Sequence, residues 1–430
     1  MTMLASFHPL RSVPLLAALA ALAACTGPGD TTAGESGSES SSGSSSSSTS
    51  STSAGSLSGT VTTAPSTESG SSSDGTTGGE PEPYGVWVKR EPPGAICSNG
   101  SQYKYFVNLS ETSKNVLVYL EPGGACWDYE TCSGKSPLGA ANPNGIPDSH
   151  MDQYGVLSPI LRRDVIDNPA KDWNLVFIPY CTGDVHTGNN VMTYEDPNGV
   201  EPPIEYHHNG HDNIMRTIES LDASFPQIDR LMVTGCSAGG AGSLINYYFF
   251  RKGLAADRGY LLDDSGPIFP SEGYSGPLHT KIRESWNVDP ILDTIPEGNT
   301  LHDDFGNLNA LLATMFPDDR LSTVYFQRDY NYSRYSYERF YPDPTKDKIL
   351  DYWASDTKLL MSLYDEHENL AYYLPYWREF NSSHCTGIVT YEGTEIQELD
   401  MDLGKFIDEL LDDDAPLESY LESVQPGEDL

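Results

Sequence analysis

The chain is short of positive charge. Its 430 residues carry 25 Lys and Arg against 62 Asp and Glu, a formal charge of -37 at pH 7 with histidine neutral. A nucleic-acid partner needs a basic stripe, so that class is excluded, and strongly anionic polymers are disfavoured as substrates. Long apolar runs are also lacking. The stretch "VPLLAALAALAAC", Val13 to Cys25, is too short to span a bilayer as a helix. No cysteine pair has the repeated CxxC spacing of a zinc site. There is no H-E-x-x-H motif and no dinucleotide fingerprint with an acidic partner, so neither a metal nor an organic cofactor is expected. No internal repeat is present.

Three segments differ in composition. Arg11, the apolar run and Leu22-Ala23-Ala24-Cys25 follow the order of a secretory signal, and the terminal cysteine makes residues 1–25 resemble a bacterial lipoprotein signal. Cys25 is then the lipid-bearing first residue of an exported protein anchored to the envelope membrane, and Thr26 permits the outer membrane or cell surface. Residues 26–82 are Ser, Thr and Gly with almost no large apolar side chains. Such a segment cannot bury enough surface to offset its chain entropy, so a flexible tether is expected. Residues 83–430 form the body. Its acidic end, "DELLDDDAPLESYLESVQPGEDL", reads as a solvated helix end and tail.

The body contains near-continuous apolar runs that end in glycine, proline or polar clusters. They are "NVLVYLEPGG" from Asn115, "WNLVFIPYCTGD" from Trp173, "RLMVTGCSAGG" from Arg230, "YLLDDSG" from Tyr260 and "LSTVYFQRD" from Leu321. Continuous rather than alternating runs suit strands buried on both faces. Helical spacing lies between them, as in "GHDNIMRTIESLDA" with Ile214, Ile218 and Leu221. Strands alternating with helices predict an α/β fold, a mostly parallel central sheet with helices on both faces. Functional residues then belong at the carboxyl ends of the strands.

Gly235-Cys236-Ser237-Ala238-Gly239 fits the G-x-S-x-G nucleophile elbow, with a strand before it and a small-residue helix start after it. A sharp strand-to-helix turn lifts the serine hydroxyl into a site, and its neighbours must be small where the chain doubles back. A serine needs a base, and in this architecture the acid and histidine follow it in the chain. His384, in "WREFNSSHCTG", sits just after an apolar run ending at Phe380, where a strand-to-loop placement is expected. His302 and His367 are flanked by acids and read as surface residues; His279 is a weaker contender. For the acid, Asp329 after "LSTVYFQR" is favoured by chain order over Asp264 after "GYLLD", which otherwise shapes the pocket floor or caps a turn. Pro122-Gly123-Gly124-Ala125 supplies backbone N–H groups for an oxyanion, together with that of Ala238. His186, in "GDVHTG", contacts substrate or satisfies a loop, and the loop is favoured. Trp127 and Tyr129 stack on sugars or pack the rim.

Apart from Cys25, the body holds Cys97, Cys126, Cys132, Cys181, Cys236 and Cys385, an even set in an exported protein. Cys236 precedes the serine and Cys385 follows the histidine. If those side chains meet, their neighbours lie close enough for a disulfide; the alternative is two buried free thiols.

Taken in order, "CSNGS" at Cys97, "VYLEPGGACWDYETC" from Val118, "FIPYCTGDVHTG" from Phe177, "GCSAGGAG" from Gly235, "DDSGP" from Asp263 and "HC" at His384 resemble the pectin acetylesterase and Notum-like carboxylesterase family. The resemblance implies an α/β-hydrolase fold and serine ester hydrolysis through Ser237, Asp329 and His384, with Gly123, Gly124 and Ala238 as oxyanion donors. It also implies bridges Cys97–Cys181 and Cys126–Cys132, which leaves Cys236–Cys385. The implied substrate is an acyl ester, an O-acetyl group on polysaccharide foremost. Ala125 departs from the aromatic residue that relatives often place beside the oxyanion glycines. The Cys-Ser and His-Cys pairs are also similar to tannase and feruloyl esterases. A non-catalytic surface binding protein on a hydrolase fold is the reading from a different class.

Overall fold

The computed structural model describes residues 82–424. The expected leader with Cys25, and the tether through residue 81, lie outside the described residues. Glu82, assigned above to the tether, is described and pairs with Arg90.

The strands are β1 (Trp87–Arg90), β2 (Tyr105–Asn108), β3 (Val116–Leu120), β4 (Asn174–Ile178), β5 (Asn190–Tyr194), β6 (Ile204–His208), β7 (Arg230–Cys236), β8 (Arg258–Asp264), β9 (Arg320–Val324), β10 (Leu370–Leu374) and β11 (Tyr420–Leu421). Nine of them form one sheet in the order β1-β2-β4-β3-β7-β8-β9-β10-β11, and β5 with β6 makes a separate antiparallel hairpin. β1 and β2 are antiparallel additions at one edge, and every pairing from β4 through β3 to β11 is parallel. Helices cover both faces. The five apolar runs are therefore the five central strands. Their branched and aromatic residues suit a pleated surface, and every residue of β3, β4 and β9 is buried.

From β3 the chain adds β4 on one side and later returns to add β7 on the other. That reversal is a topological switch point, where an open α/β sheet leaves a crevice at its carboxyl edge. Register aligns those ends: Leu120 pairs with Ile178 and Gly235, Cys236 with Asp264, and Asp264 with Val324.

Two local expectations are corrected. The acidic end is not all solvated tail. After the helix Leu403–Leu410, Tyr420–Leu421 adds a parallel edge strand to β10, and the Tyr420 ring packs 6.1 Å from Phe406 and 6.3 Å from Tyr373. His384 does not follow a strand directly. β10 stops at Leu374, where Pro375 cannot continue the ladder as a donor, and an irregular segment leads to His384.

Candidate active site

Ser237 stands between β7 and the helix Ala238–Gly253, with φ 57° and ψ -118°. A non-glycine residue keeps such a conformation only where its surroundings fix it. Here the surroundings are tight. A Cβ on Gly235 would lie 2.6 Å from the Gly239 carbonyl oxygen, and one on Gly239 would overlap that of Leu120. The Ser237 N–H donates to the Asp264 carbonyl at 2.8 Å, and the Ser237 carbonyl accepts from the Ala241 N–H at 3.0 Å. The turn is thus held by sterics on one side and by β8 on the other.

Asp329 and His384 come together although 55 residues separate them. His384 Nδ1 lies 2.7 Å from Asp329 Oδ2, and both side chains are buried. The other oxygen, Oδ1, accepts the Tyr332 N–H at 2.9 Å and caps the helix Tyr330–Tyr337. One carboxylate therefore anchors a helix and orients an imidazole. The disulfide Cys236–Cys385 joins the residue before Ser237 to the residue after His384, with Cα atoms 5.5 Å apart. A ring nitrogen of His384 lies within 4.8 Å of both of its sulfurs. The elbow and the histidine segment meet.

Asp264 has other partners. Its Oδ1 accepts from Ser265 Oγ at 2.8 Å and from the Thr386 N–H at 2.7 Å, and its Oδ2 accepts the Gly387 N–H at 2.7 Å. Ser265 Oγ in turn accepts the Cys385 N–H at 3.1 Å. Asp264 thus clamps the chain just after His384, while the acid on the imidazole is Asp329. Burial raises the Asp264 pKa, opposed by these same hydrogen bonds.

The other four cysteines among the described residues form Cys97–Cys181 and Cys126–Cys132. Among the described residues, two side-chain groups have metal-like spacing, Cys126 and Cys132 with His208, and Cys236 and Cys385 with His384. Disulfide sulfurs offer no thiolate, so neither group has the donors of a zinc or iron site as it stands.

The glycine loop after β3 closes the crevice. Gly124, at φ 70°, leaves no room for a Cβ beside Gly139 and Tyr335. Tyr335 Oη braces the loop, donating to the Gly139 carbonyl at 2.9 Å and accepting its N–H at 3.2 Å. Ser237, Ala238, Gly124 and Ala125 line one small cavity of about 30 Å³, walled mainly by apolar side chains. Gly123 precedes it on the loop; a Cβ there would sit 2.6 Å from Ala141 Cβ.

His279 lines this cavity and is buried. It is not the imidazole on Asp329. His302 is partly exposed beside Asp293 at 3.1 Å, and His367 is half-buried. His186 is buried against Tyr180, with Nε2 2.9 Å from the Glu121 carbonyl, and burial lowers it to about 4. Trp127 is buried at the cavity wall and packs on Phe340 at 5.9 Å; Tyr129 packs beneath Lys135. The sequence reading did not reach Leu278, Ile282 and Trp286, or Tyr332, Tyr335 and Ser336, which also line the cavity. The first three recur every fourth residue, a helical stripe that the sequence carries openly.

The family model described as Pectinacetylesterase matches residues 86–339. That span holds Ser237 and Asp329 and ends before His384. Among curated relatives, Pectin acetylesterase 4 of Arabidopsis thaliana is 30% identical over 188 residues, 41% of this chain and 43% of the relative. Palmitoleoyl-protein carboxylesterase notum2 of Xenopus laevis is 31% identical over 155 residues, 35% of this chain and 29% of the relative. The chain spans less than half the length of these relatives.

Proposed function

From the premise that this chain belongs to the pectinacetylesterase family, we propose that it is a serine carboxylesterase that removes short acyl groups, O-acetyl foremost, from carbohydrate esters. The observation that carries the reading is the Asp329–His384 pair joined by Cys236–Cys385 to the strained Ser237 turn. Ser237 Oγ attacks the ester carbonyl carbon while His384 takes its proton on Nε2. Asp329 accepts the Nδ1–H, holds that tautomer and stabilises the imidazolium. The carbonyl oxygen becomes an oxyanion that accepts from the N–H groups of Gly123, Gly124 and Ala238. Collapse expels the alcohol, protonated by His384. Water, deprotonated by the same imidazole, then releases the acid from the acyl-enzyme.

The curated relatives' printed names cover both acetyl and palmitoleoyl esters. The small cavity at Ser237 favours the short acyl group. The rest of the proposal rests on sequence: residues 1–25 as a leader, lipidation at Cys25, residues 26–82 as a tether, and residues 83–430 as the catalytic body acting at the envelope surface.

The test is hydrolysis of p-nitrophenyl acetate and of acetylated xylan and pectin. Wild type should turn over p-nitrophenyl acetate, and Ser237→Ala should lose about 10⁴-fold or more in kcat with its melting curve intact. An inactive wild type with a native far-UV spectrum would favour the surface-binding reading instead. A preference for feruloyl over acetyl esters would favour the tannase-like one.

A further inference from the structure

A strip of chain that the chemistry above does not use lies along the glycine loop. Gly124 bridges Ala140 in antiparallel fashion, and the Ala141 N–H donates to the Gly123 carbonyl at 2.8 Å. The strip, residues 139–142, is fastened at both ends. At one end Asn142 Nδ2 donates to the Tyr180 carbonyl at 2.7 Å and to the buried Glu121 carboxylate at 3.3 Å. At the other end a single hydroxyl serves both main-chain polar groups of Gly139. Tyr335 Oη donates to its carbonyl at 2.9 Å and accepts its N–H at 3.2 Å. A Cβ built on Gly124 would overlap that hydroxyl and the Gly139 carbonyl alike, so the three groups sit in close contact. Tyr335 belongs to the helix Tyr330–Tyr337, which Asp329 caps with the oxygen that does not face His384. One helix thus carries the acid at its start and the clasp of the glycine loop less than two turns later.

We propose that Tyr335 is a positioning residue for the oxyanion site. Through Gly139 its hydroxyl fixes where the Gly123 and Gly124 N–H groups point, and its helix keeps that aim in register with the Asp329–His384 pair. The inference rests on the esterase reading and adds a residue that acts on the loop rather than on the ester. Oxyanion donors stabilise charge only if they are already aimed when it develops. Two adjacent glycines have no side chains to fix their own backbone, so the aim must come from outside the loop. The strip and its clasp supply it.

The experiment compares wild type with Tyr335→Phe, which keeps the ring in the cavity wall and takes this partner from both Gly139 groups. A second variant, Asn142→Gly, releases the other end of the strip, tolerates the positive φ of Asn142, and serves if Tyr335→Phe does not fold. The readouts are kcat/KM for p-nitrophenyl acetate, its pH profile, and the Ki of trifluoroacetone. The ketone carbon accepts Ser237 Oγ, the proton passes to His384, and the ketone oxygen becomes an oxyanion in the same site. In Tyr335→Phe, kcat/KM should fall about ten- to a hundredfold and Ki should rise by the same factor, with the shape of the pH profile unchanged. Asn142→Gly should move both in the same direction by about threefold or more. Folded variants within about threefold of wild type, a fall in kcat/KM with Ki unmoved, or a shifted pH profile would overturn this inference and leave the esterase reading standing. A wild type inert on p-nitrophenyl acetate would overturn both.

Discussion

The serine turn and the histidine segment meet at one site but are built in opposite ways. The elbow is local: a buried strand, a helix, and glycines at 235 and 239 whose absent Cβ atoms let the chain double back. The histidine segment has little regular structure. Asn381, Ser382, Ser383, Cys385 and Val389 all have positive φ, a costly set for residues that are not glycine. Groups distant in sequence hold most of it: Asp264 on Thr386 and Gly387, Ser265 on Cys385, Ser158 on the Gly387 carbonyl at 2.6 Å, and the disulfide to Cys236, while the nearby Arg378 donates to the Cys385 carbonyl at 2.6 Å. A nucleophile needs a rigid turn, which short-range sterics provide. An imidazole must be aimed, and the aim of His384 depends on contacts 55 to 229 residues away in sequence.

That contrast can be broken most severely at the hinge between the two regions. Asp329→Asn keeps the side-chain size but removes the acceptor that fixes the His384 tautomer. We expect kcat for p-nitrophenyl acetate to fall about 10⁴-fold. The helix cap survives through the amide oxygen, so the melting temperature should move little. A loss below tenfold would mean that another acid orients the imidazole.

A smaller effect is expected at the clamp. Asp264→Asn keeps one acceptor oxygen and sets an NH₂ group against either the Thr386 or the Gly387 N–H, which then lacks its acceptor. The segment should shift by a fraction of an ångström and kcat should drop between about ten- and a hundredfold, with KM nearly unchanged. A rise in KM with kcat intact would show that Asp264 shapes substrate binding rather than the aim of the base.

The smallest effect lies on the elbow's side. Buried Asp184 supports the loop that carries Val185 and His186, accepting the Gly188 and Gly210 N–H groups at 3.1 and 2.8 Å. Burial raises its pKa from 3.8 to about 7. A raised folded-state pKa means the folded protein keeps a proton that the unfolded chain has already lost. Its contribution is full below about 3.8 and disappears as pH rises through about 7. In urea unfolding, the stability of wild type relative to Asp184→Asn should therefore decline from pH 4 to pH 7. A flat difference would show that the carboxyl is ionised throughout.

Much of this was visible before any coordinates. The five central strands show themselves as continuous apolar runs because they are buried on both faces. Gly235 and Gly239 mark the elbow because only glycine fits so close to Leu120. β1 and β11 escape such a reading: both are edge strands, and in β1 "WVKR" is only half-buried, so no apolar run announces it. Between Asp264 and Asp329 the sequence offered a preference from chain order, for Asp329, and no more. Both end or follow a buried strand, and beyond chain order the two differ in what meets them.

The residue order alone dictated the sheet, the serine turn and the glycine loop, because their causes are steric and act within a few positions. Tertiary structure settled which carboxylate faces the imidazole, where chain order gave a preference, and alone decided how the irregular segment before Cys385 is held and that His279 enters the cavity wall. Those outcomes depend on groups brought together only when distant parts of the chain pack, and no spacing along the sequence encodes such a meeting.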